Sequence, residues 1–377
     1  MSAVPLLDLK AQFATIQDRV EQAVLRVMRE QRFILGPEVE AFEHSLADLV
    51  GAKHAVGVSS GSDALLVALL ALGIGKGDEV ITSTYSFFAS AGSIVRVGAT
   101  PVLVDIDPRT FNLDPEAAAA RVGPRTRALL PVHLFGRCAA VERLRAAAPG
   151  LPVVEDAAQA LGALRAGKHA GAMGEVGCFS FFPSKNLGGC GDGGMVTTSS
   201  DDLAGRLRAL RVHGQLSGGR YQHDLVGGNF RLDALQAAVL RVKLEHLAAW
   251  TERRRANAAR YRQLLSEADV PVVLPPEDGE GSLDVYNQFV IRTPRRDELL
   301  EHLRANEIGC AVYYPRGLHQ QPCFSHLGYQ EGDLPHAEEA ARQTLALPVY
   351  PELSDDQLQQ VVGRISDCLR GAGSGAR

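Results

Sequence analysis

Between His54 and Asp156 the chain alternates short, β-rich apolar runs with helix-like stretches, a rhythm that few architectures accept. His54–Ser59, Glu79–Thr84, Pro101–Ile106, Ala128–Leu134 and Pro152–Asp156 read as strands, and Ser62–Leu72, Pro115–Arg121 and Val141–Ala148 as helices. The alternation calls for an α/β fold, a mostly parallel central sheet flanked by helices. Two more strands, Cys178–Phe182 and Met195–Thr198, follow. Upstream, Ile16, Val20, Val24, Val27 and Met28 give Ala14–Met28 a helical period, and Gly36-Pro37 ends that helix and starts the next. Past Leu232 the texture changes: Asp233–Leu265 reads as one long helix without Gly or Pro. A linker holding Pro271, Pro275, Pro276, Gly279 and Gly281 comes next. Strand Val285–Arg292, helix Arg296–Asn306, strand Cys310–Tyr314 and two closing helices complete the reading. A chain of 377 residues exceeds a single core. Residues 1–250 are therefore expected to form a large α/β domain and 251–377 a smaller C-terminal α+β domain, with a disordered tail at 371–377.

Composition narrows the function classes. A net charge of −5 with no basic, aromatic-interleaved stretch argues against nucleic acid. The one dense basic run, Arg253-Arg254-Arg255, falls in a helix and is expected on its solvated face. The longest apolar stretch, Ala64–Gly75, is too short to span a bilayer, and the first ten residues show no signal-peptide pattern, so no membrane partner and a cytoplasmic location are expected. Six cysteines without a C-x-x-C pair are expected to be reduced thiols. His319, Cys323 and His326 lie close together, with Cys310 upstream, but Pro322 interrupts them and no fourth ligand pairs at short range; no metal is expected.

Chemistry concentrates at Lys185. It follows the aromatic run Phe179-Ser180-Phe181-Phe182 and opens into the glycine-rich loop Gly188–Gly194. Desolvation lowers a lysine's pKa toward the range where its amine attacks carbonyls, the property of a pyridoxal phosphate (PLP) anchor. A loop lysine without a role fits the segment alone equally well. Ser59-Ser60-Gly61-Ser62-Asp63 joins a strand to a helix, suiting either a phosphate cradle or an ordinary cap. In Val153-Val154-Glu155-Asp156 the two carboxylates point to opposite faces, so they are no acid/base pair. One of them, at a strand's C-terminal end, suits either a salt bridge to a pyridine nitrogen or a cap for the following turn. The aromatics of Tyr85-Ser86-Phe87-Phe88 could stack on a ring or pack in the core. Gly189–Gly194 matches G-x-G-x-x-G, but a strand follows where a dinucleotide site needs a helix.

Together these segments resemble the DegT family of PLP-dependent sugar aminotransferases, of fold type I (aspartate aminotransferase-like). The resemblance runs from Gly36-Pro37-Glu38-Val39 through Ser60–Leu65, Val104–Pro108, Pro131–Gly136 and Glu155–Gln159. It continues with Ser180–Lys185, Gly191–Gly194, Asn229–Asp233 and Tyr313-Tyr314-Pro315 with Leu318-His319. It implies Lys185 as anchor and proton shuttle, Asp156 on the pyridine nitrogen, Gln159 on the phenolic oxygen and Phe87 stacked on the ring. Gly61, Ser62 and Ser180 would hold the phosphate, joined by Asn229 from the partner of a homodimer. Arg231, also crossing over, would meet a diphosphate, and Tyr313, Tyr314 and His319 the sugar. The implied reaction moves an amine from glutamate to a nucleotide-linked keto sugar (UDP- or dTDP-, 3-keto before 4-keto) for surface polysaccharide or antibiotic sugars. Three departures stand out: Gly317 where the family often has proline, Ser62 for threonine, and a bulky Phe230. A PLP sugar lyase or dehydratase is the alternative, though related dehydratases carry His at the lysine position. A non-catalytic PLP or sugar-nucleotide sensor is another, and an NAD oxidoreductase is disfavoured by the strand after the glycine loop.

Overall fold

The computed structural model describes residues 3–216 and 221–371; the tail expected to be disordered lies outside them except for Gly371. Strands Thr100–Val104, Glu79–Ser83 and Thr126–Leu130 pair in parallel with Glu79–Ser83 central. Val154–Asp156, Val176–Ser180, Gly194–Thr198 and His54–Val58 form a second set in that order. Parallel bridges Leu129–Val153 and Val132–Asp156 join the two sets edge to edge. In this sheet only Gly194–Thr198 runs against its neighbours. The architecture is α/β and mostly parallel, and the strand after the glycine loop removes the dinucleotide reading.

The apolar stretch at Ala64 becomes helix Gly61–Ala71, buried on nearly every side. It lies between the sheet and helices Ala89–Arg96 and Asp201–Arg211, which explains a helix with no polar face. Each Leu so enclosed contributes about 1.5–3 kcal/mol over an exposed one. Its N-terminus therefore sits rigidly at the sheet's working edge.

Several expected elements differ. The helix expected at Ala14–Met28 runs Gln17–Glu30, and a short separate helix, Leu9–Ala14, precedes it. Asp8 caps the short one by accepting from the amides of Lys10 and Ala11, and Thr15 closes it through its hydroxyl on Gln12 O (2.8 Å). The long helix after Leu232 is two, Ala234–Leu244 and Leu247–Glu267, and its middle arginine is buried rather than solvated. Strand Val285–Arg292 shortens to Phe289–Arg292, antiparallel to Thr344–Leu347. Cys310–Tyr314 is no strand: Ala311 alone bridges to Ala346 before the chain turns. These C-terminal elements share a core of Tyr261, Phe289, Leu299, Leu345 and Ile365. Val4 belongs to it too, its amide donating to Glu307 O at 3.0 Å.

Candidate active site

The Lys185 loop spans strands Val176–Ser180 and Gly194–Thr198. Its turns close through Lys185 N on Phe182 O (2.9 Å) and Gly189 N on Phe181 O (2.8 Å). Gly188 must be glycine, because a Cβ there would lie 2.2 Å from Pro183 O. Phe179 and Phe181 turn into the core, whereas Phe182 is exposed. Lys185 is half-buried; lost hydration pulls its ammonium down to about 8, against the opposing field of Asp156.

Asp156 ends its strand with its amide on Pro131 O (2.9 Å) and its carbonyl accepting from His133 N (3.0 Å). The buried carboxylate accepts from Ser90 Oγ (2.8 Å) and Ala158 N (3.3 Å). Burial raises its pKa, while Ser90, Ala158, Lys185 and His133 pull it down. Glu155 takes the opposite face, accepting from His133 Nε2 (2.8 Å) and the amides of Gly171, Met173 and Gly174. Ala139 N donates to His133 Nδ1 (2.9 Å), so the imidazole proton sits on Nε2. This pair is the strand's buried backing.

Gln159 Oε1 accepts from Phe135 N (2.7 Å), and one Nε2 hydrogen goes to Tyr314 Oη (3.1 Å). The other is left for a ligand. Phe87, 56% exposed, stands at the mouth with its ring 6.4 Å from that of Tyr314. At the start of helix Gly61–Ala71, Ser60 Oγ accepts from Asp63 N (3.1 Å). Gly61 backs onto Ser180 so closely that a Cβ would lie 2.6 Å from the serine's Cβ. Ser62, next to Gly61, anchors through its carbonyl to Ser93 Oγ (3.3 Å).

Asn229 and Arg231 lie on a segment bridged to Val212 and Val58, with Phe230 O between them accepting from Ser59 N (3.0 Å) beside the Ser60–Gly61 turn. Asn229 is exposed, and Arg231 Nε is buried without a hydrogen-bond partner. Tyr313 and Tyr314 are held by Tyr85, whose hydroxyl donates to Tyr313 O (2.8 Å) and accepts from Tyr314 N (3.0 Å). The resemblance makes His319 a sugar contact, but the structure encloses its ring, 5% exposed. Nδ1 meets Thr84 Oγ1 at 2.7 Å and Nε2 meets Glu338 Oε1 at 3.2 Å. The imidazole is a strut that ties the tyrosine loop to the end of strand Glu79–Ser83. Gly317 also has its reason: a Cβ there would lie 2.6 Å from His319 Cε1. Sequence reading missed Thr84 and Ser90, whose partners His319 and Asp156 are far along the chain, and Glu338, nineteen residues from His319. Only the i, i+4 pair Ser86–Ser90, with hydroxyls 2.9 Å apart, left a local trace.

These groups fit PLP. Asp156 is a buried anion able to meet a ring-nitrogen proton, Gln159 retains a donor, and the Gly61–Ser180 approach leaves a floor where any larger residue would intrude. Fold and site thus define a PLP enzyme of fold type I.

The DegT/DnrJ/EryC1/StrS aminotransferase family matches residues 14–366. A pleiotropic regulatory protein of Geobacillus stearothermophilus is 49% identical over 97% of this chain and 99% of its own. A UDP-N-acetyl-3-dehydro-alpha-D-glucosamine 3-aminotransferase of Acidithiobacillus ferrooxidans is 43% identical, with 98% and 99% covered. Among solved structures, S. venezuelae DesV superposes with a TM-score of 0.93 at 44% identity, covering 97% and 98% of the two chains. Bacillus subtilis NtdA with bound cofactor PMP gives 0.87 at 30% identity, covering 97% and 86%. The chain belongs to the DegT/DnrJ/EryC1/StrS aminotransferase family and is a PLP-dependent aminotransferase.

Proposed function

We propose that this enzyme transfers an amine from glutamate to the ketone of a nucleotide-linked sugar, a 3-keto sugar before a 4-keto one. The observation that carries the reading is the intact trio Lys185, Asp156 and Gln159 at one strand edge. The 3-amino chemistry named for the Acidithiobacillus relative supports the position on the sugar. PLP, when bound, supplies an electron sink for the carbanion that amine transfer requires. Lys185 Nζ holds the cofactor at rest and carries the proton at the substrate carbon. Asp156 keeps the ring nitrogen protonated, Gln159 donates to the phenolic oxygen, and Phe87 covers the ring. Gly61, Ser62 and Ser180 take the phosphate, joined by Asn229 of a partner subunit. The unpartnered Nε of Arg231 suits a guanidinium waiting for a diphosphate across that interface. Tyr313 and Tyr314 meet the sugar, with His319 behind them.

We place the reaction in the cytoplasm of the producing cell and take residues 251–377 as the smaller domain, supported by their separate core. No helix among the described residues is long and apolar enough to cross a membrane. A regulatory role, as the Geobacillus relative's name suggests, would leave the lysine idle. The test adds glutamate to the PLP-loaded protein and then a panel of UDP- and dTDP-linked 3-keto and 4-keto sugars, with mass detection of the amino sugar. Loss of the visible cofactor band followed by one aminated product is expected. A band that glutamate never bleaches, or a product that has lost water without gaining nitrogen, overturns the reading in favour of a sensor or a dehydratase.

A further inference from the structure

Arg254, in the middle of helix Leu247–Glu267, is only 3% exposed. Its Nη1 donates to two backbone carbonyls, Tyr286 O (3.2 Å) and Val349 O. Among the described residues no carboxylate forms an ion pair with it; Glu352 acts from beyond contact, and burial pulls the guanidinium down to about 10. A buried cation without an anion is strongly disfavoured, and such charges are normally paired. Nη1 is occupied by the two carbonyls, no bond of Nε or Nη2 accompanies them, and Arg254 lines a cavity.

That cavity, about 60 Å³, is also lined by Ser184, Asn287, Gln288 and Tyr313. Counted as space open to water centres, it holds about four to six waters at roughly 10–15 Å³ each, enough for a carboxylate. Ser184 precedes Lys185, and Tyr313 precedes Tyr314, so the cavity adjoins the lysine loop. Asn287 Oδ1 and Gln288 Oε1 are buried without partners, while Asn287 Nδ2 is fixed on Asn186 Oδ1 at 2.8 Å. Leu6, Leu7, Leu347 and Val349 complete the lining, so a cation without an ion-pair partner and two idle acceptors share an otherwise largely apolar cavity, complementary to the charged groups of an amino acid.

We propose that Arg254 receives a carboxylate of the amino-acid donor. This rests on the aminotransferase reading and gives it a donor subsite apart from Arg231 that borders the sugar-facing Tyr313.

Two variants test it. R254K keeps the charge but loses the fork, and the two carbonyls it holds make misfolding a risk. N287D keeps Arg254's two carbonyl bonds, gives up the Asn287 Nδ2 bond to Asn186 Oδ1, and puts a carboxylate into the same cavity to compete for Arg254. In both, the glutamate KM of the first half-reaction should rise about 10- to 100-fold, the worth of a charged hydrogen-bonded contact. The sugar KM of the second half-reaction should move far less. Glutarate, which has no amine, should compete with glutamate and raise the melting temperature of the wild type but not of N287D. If folded N287D keeps its glutamate KM within about twofold, or glutarate stabilises both proteins equally, Arg254 is not the donor site. A wild type that no amino acid converts overturns the aminotransferase reading and this proposal together.

Discussion

At Lys185 two influences oppose each other. Lost hydration favours the free amine, the Asp156 carboxylate favours the ammonium, and hydration wins, leaving a pKa of about 8 against an ordinary 10.5. Each unit is tenfold in the neutral fraction, so at neutral pH this amine is available about 10²-fold more often than a surface lysine. Uptake of PLP by the cofactor-free protein should therefore accelerate tenfold per pH unit and level off near pH 8, as rapid-mixing absorbance would show. In Asp156→Asn the opposing field is gone and the midpoint should fall further. Half-saturation near 10.5 would place Lys185 in ordinary solvent. The stability sign follows. Between about 8 and 10.5 the unfolded chain holds the proton that the folded one has lost, so the cofactor-free protein should grow more stable as pH climbs through that window. Lys185→Met should lose the gain.

Secondary-structure elements hold these residues through their ends. The start of helix Gly61–Ala71 meets Ser180 at the end of its strand, at a separation only glycine permits. Gly61→Ala must push that serine or the helix aside. Overpacking of this kind costs about 1–3 kcal/mol. Felt at the cradle, it should weaken PLP retention by about tenfold or more, measured by equilibrium dialysis, with the circular dichroism spectrum unchanged. Full retention would mean the phosphate sits elsewhere. How far the elements could be read from the sequence follows the same division between local and distant causes. The strands from His54 to Asp156, the proline-started helix Pro37–Val50 and the Lys185 hairpin announce themselves through periodicity and breakers. The break at Glu245–His246 does not, because no Gly or Pro marks it. Cys310–Tyr314 looks like a strand in β-propensity, yet Tyr85 and Thr84, more than two hundred residues earlier, bend the chain beyond it. The enclosure of His319, expected to meet the sugar, was hidden for the same reason, since nothing adjacent to it in sequence foretells Glu338 and Thr84 closing over the ring. Arg254 was hidden by its two arginine neighbours, which do reach polar partners at the surface.

Across the whole molecule the groups proposed to hold the cofactor gather at the C-terminal ends of parallel strands, the place where α/β sheets hold ligands. Among the described residues no hydrogen bond or ion pair joins the Asn229 or Arg231 side chains to them, and Arg231 Nε is buried without a partner. Their segment runs beside the sheet's edge strand His54–Val58, and it is approached by Val226, 93% exposed. A large apolar side chain standing so far out of its own fold suits coverage by a second copy. In a two-fold dimer each such segment would cross to the other subunit's site, since the same contact is made twice. Mixing two dead variants separates this arrangement from a self-sufficient chain. Lys185→Ala lacks the amine and Arg231→Ala the diphosphate contact. In a hybrid dimer with crossed segments, one site collects both lesions and the other neither. Random pairing makes about half the dimers hybrids, so co-refolded equal amounts should regain about a quarter of wild-type activity. If Arg231 serves the lysine of its own chain, every site in every hybrid keeps one lesion. The mixture would then be no more active than its parents, and the shared site would have to be abandoned.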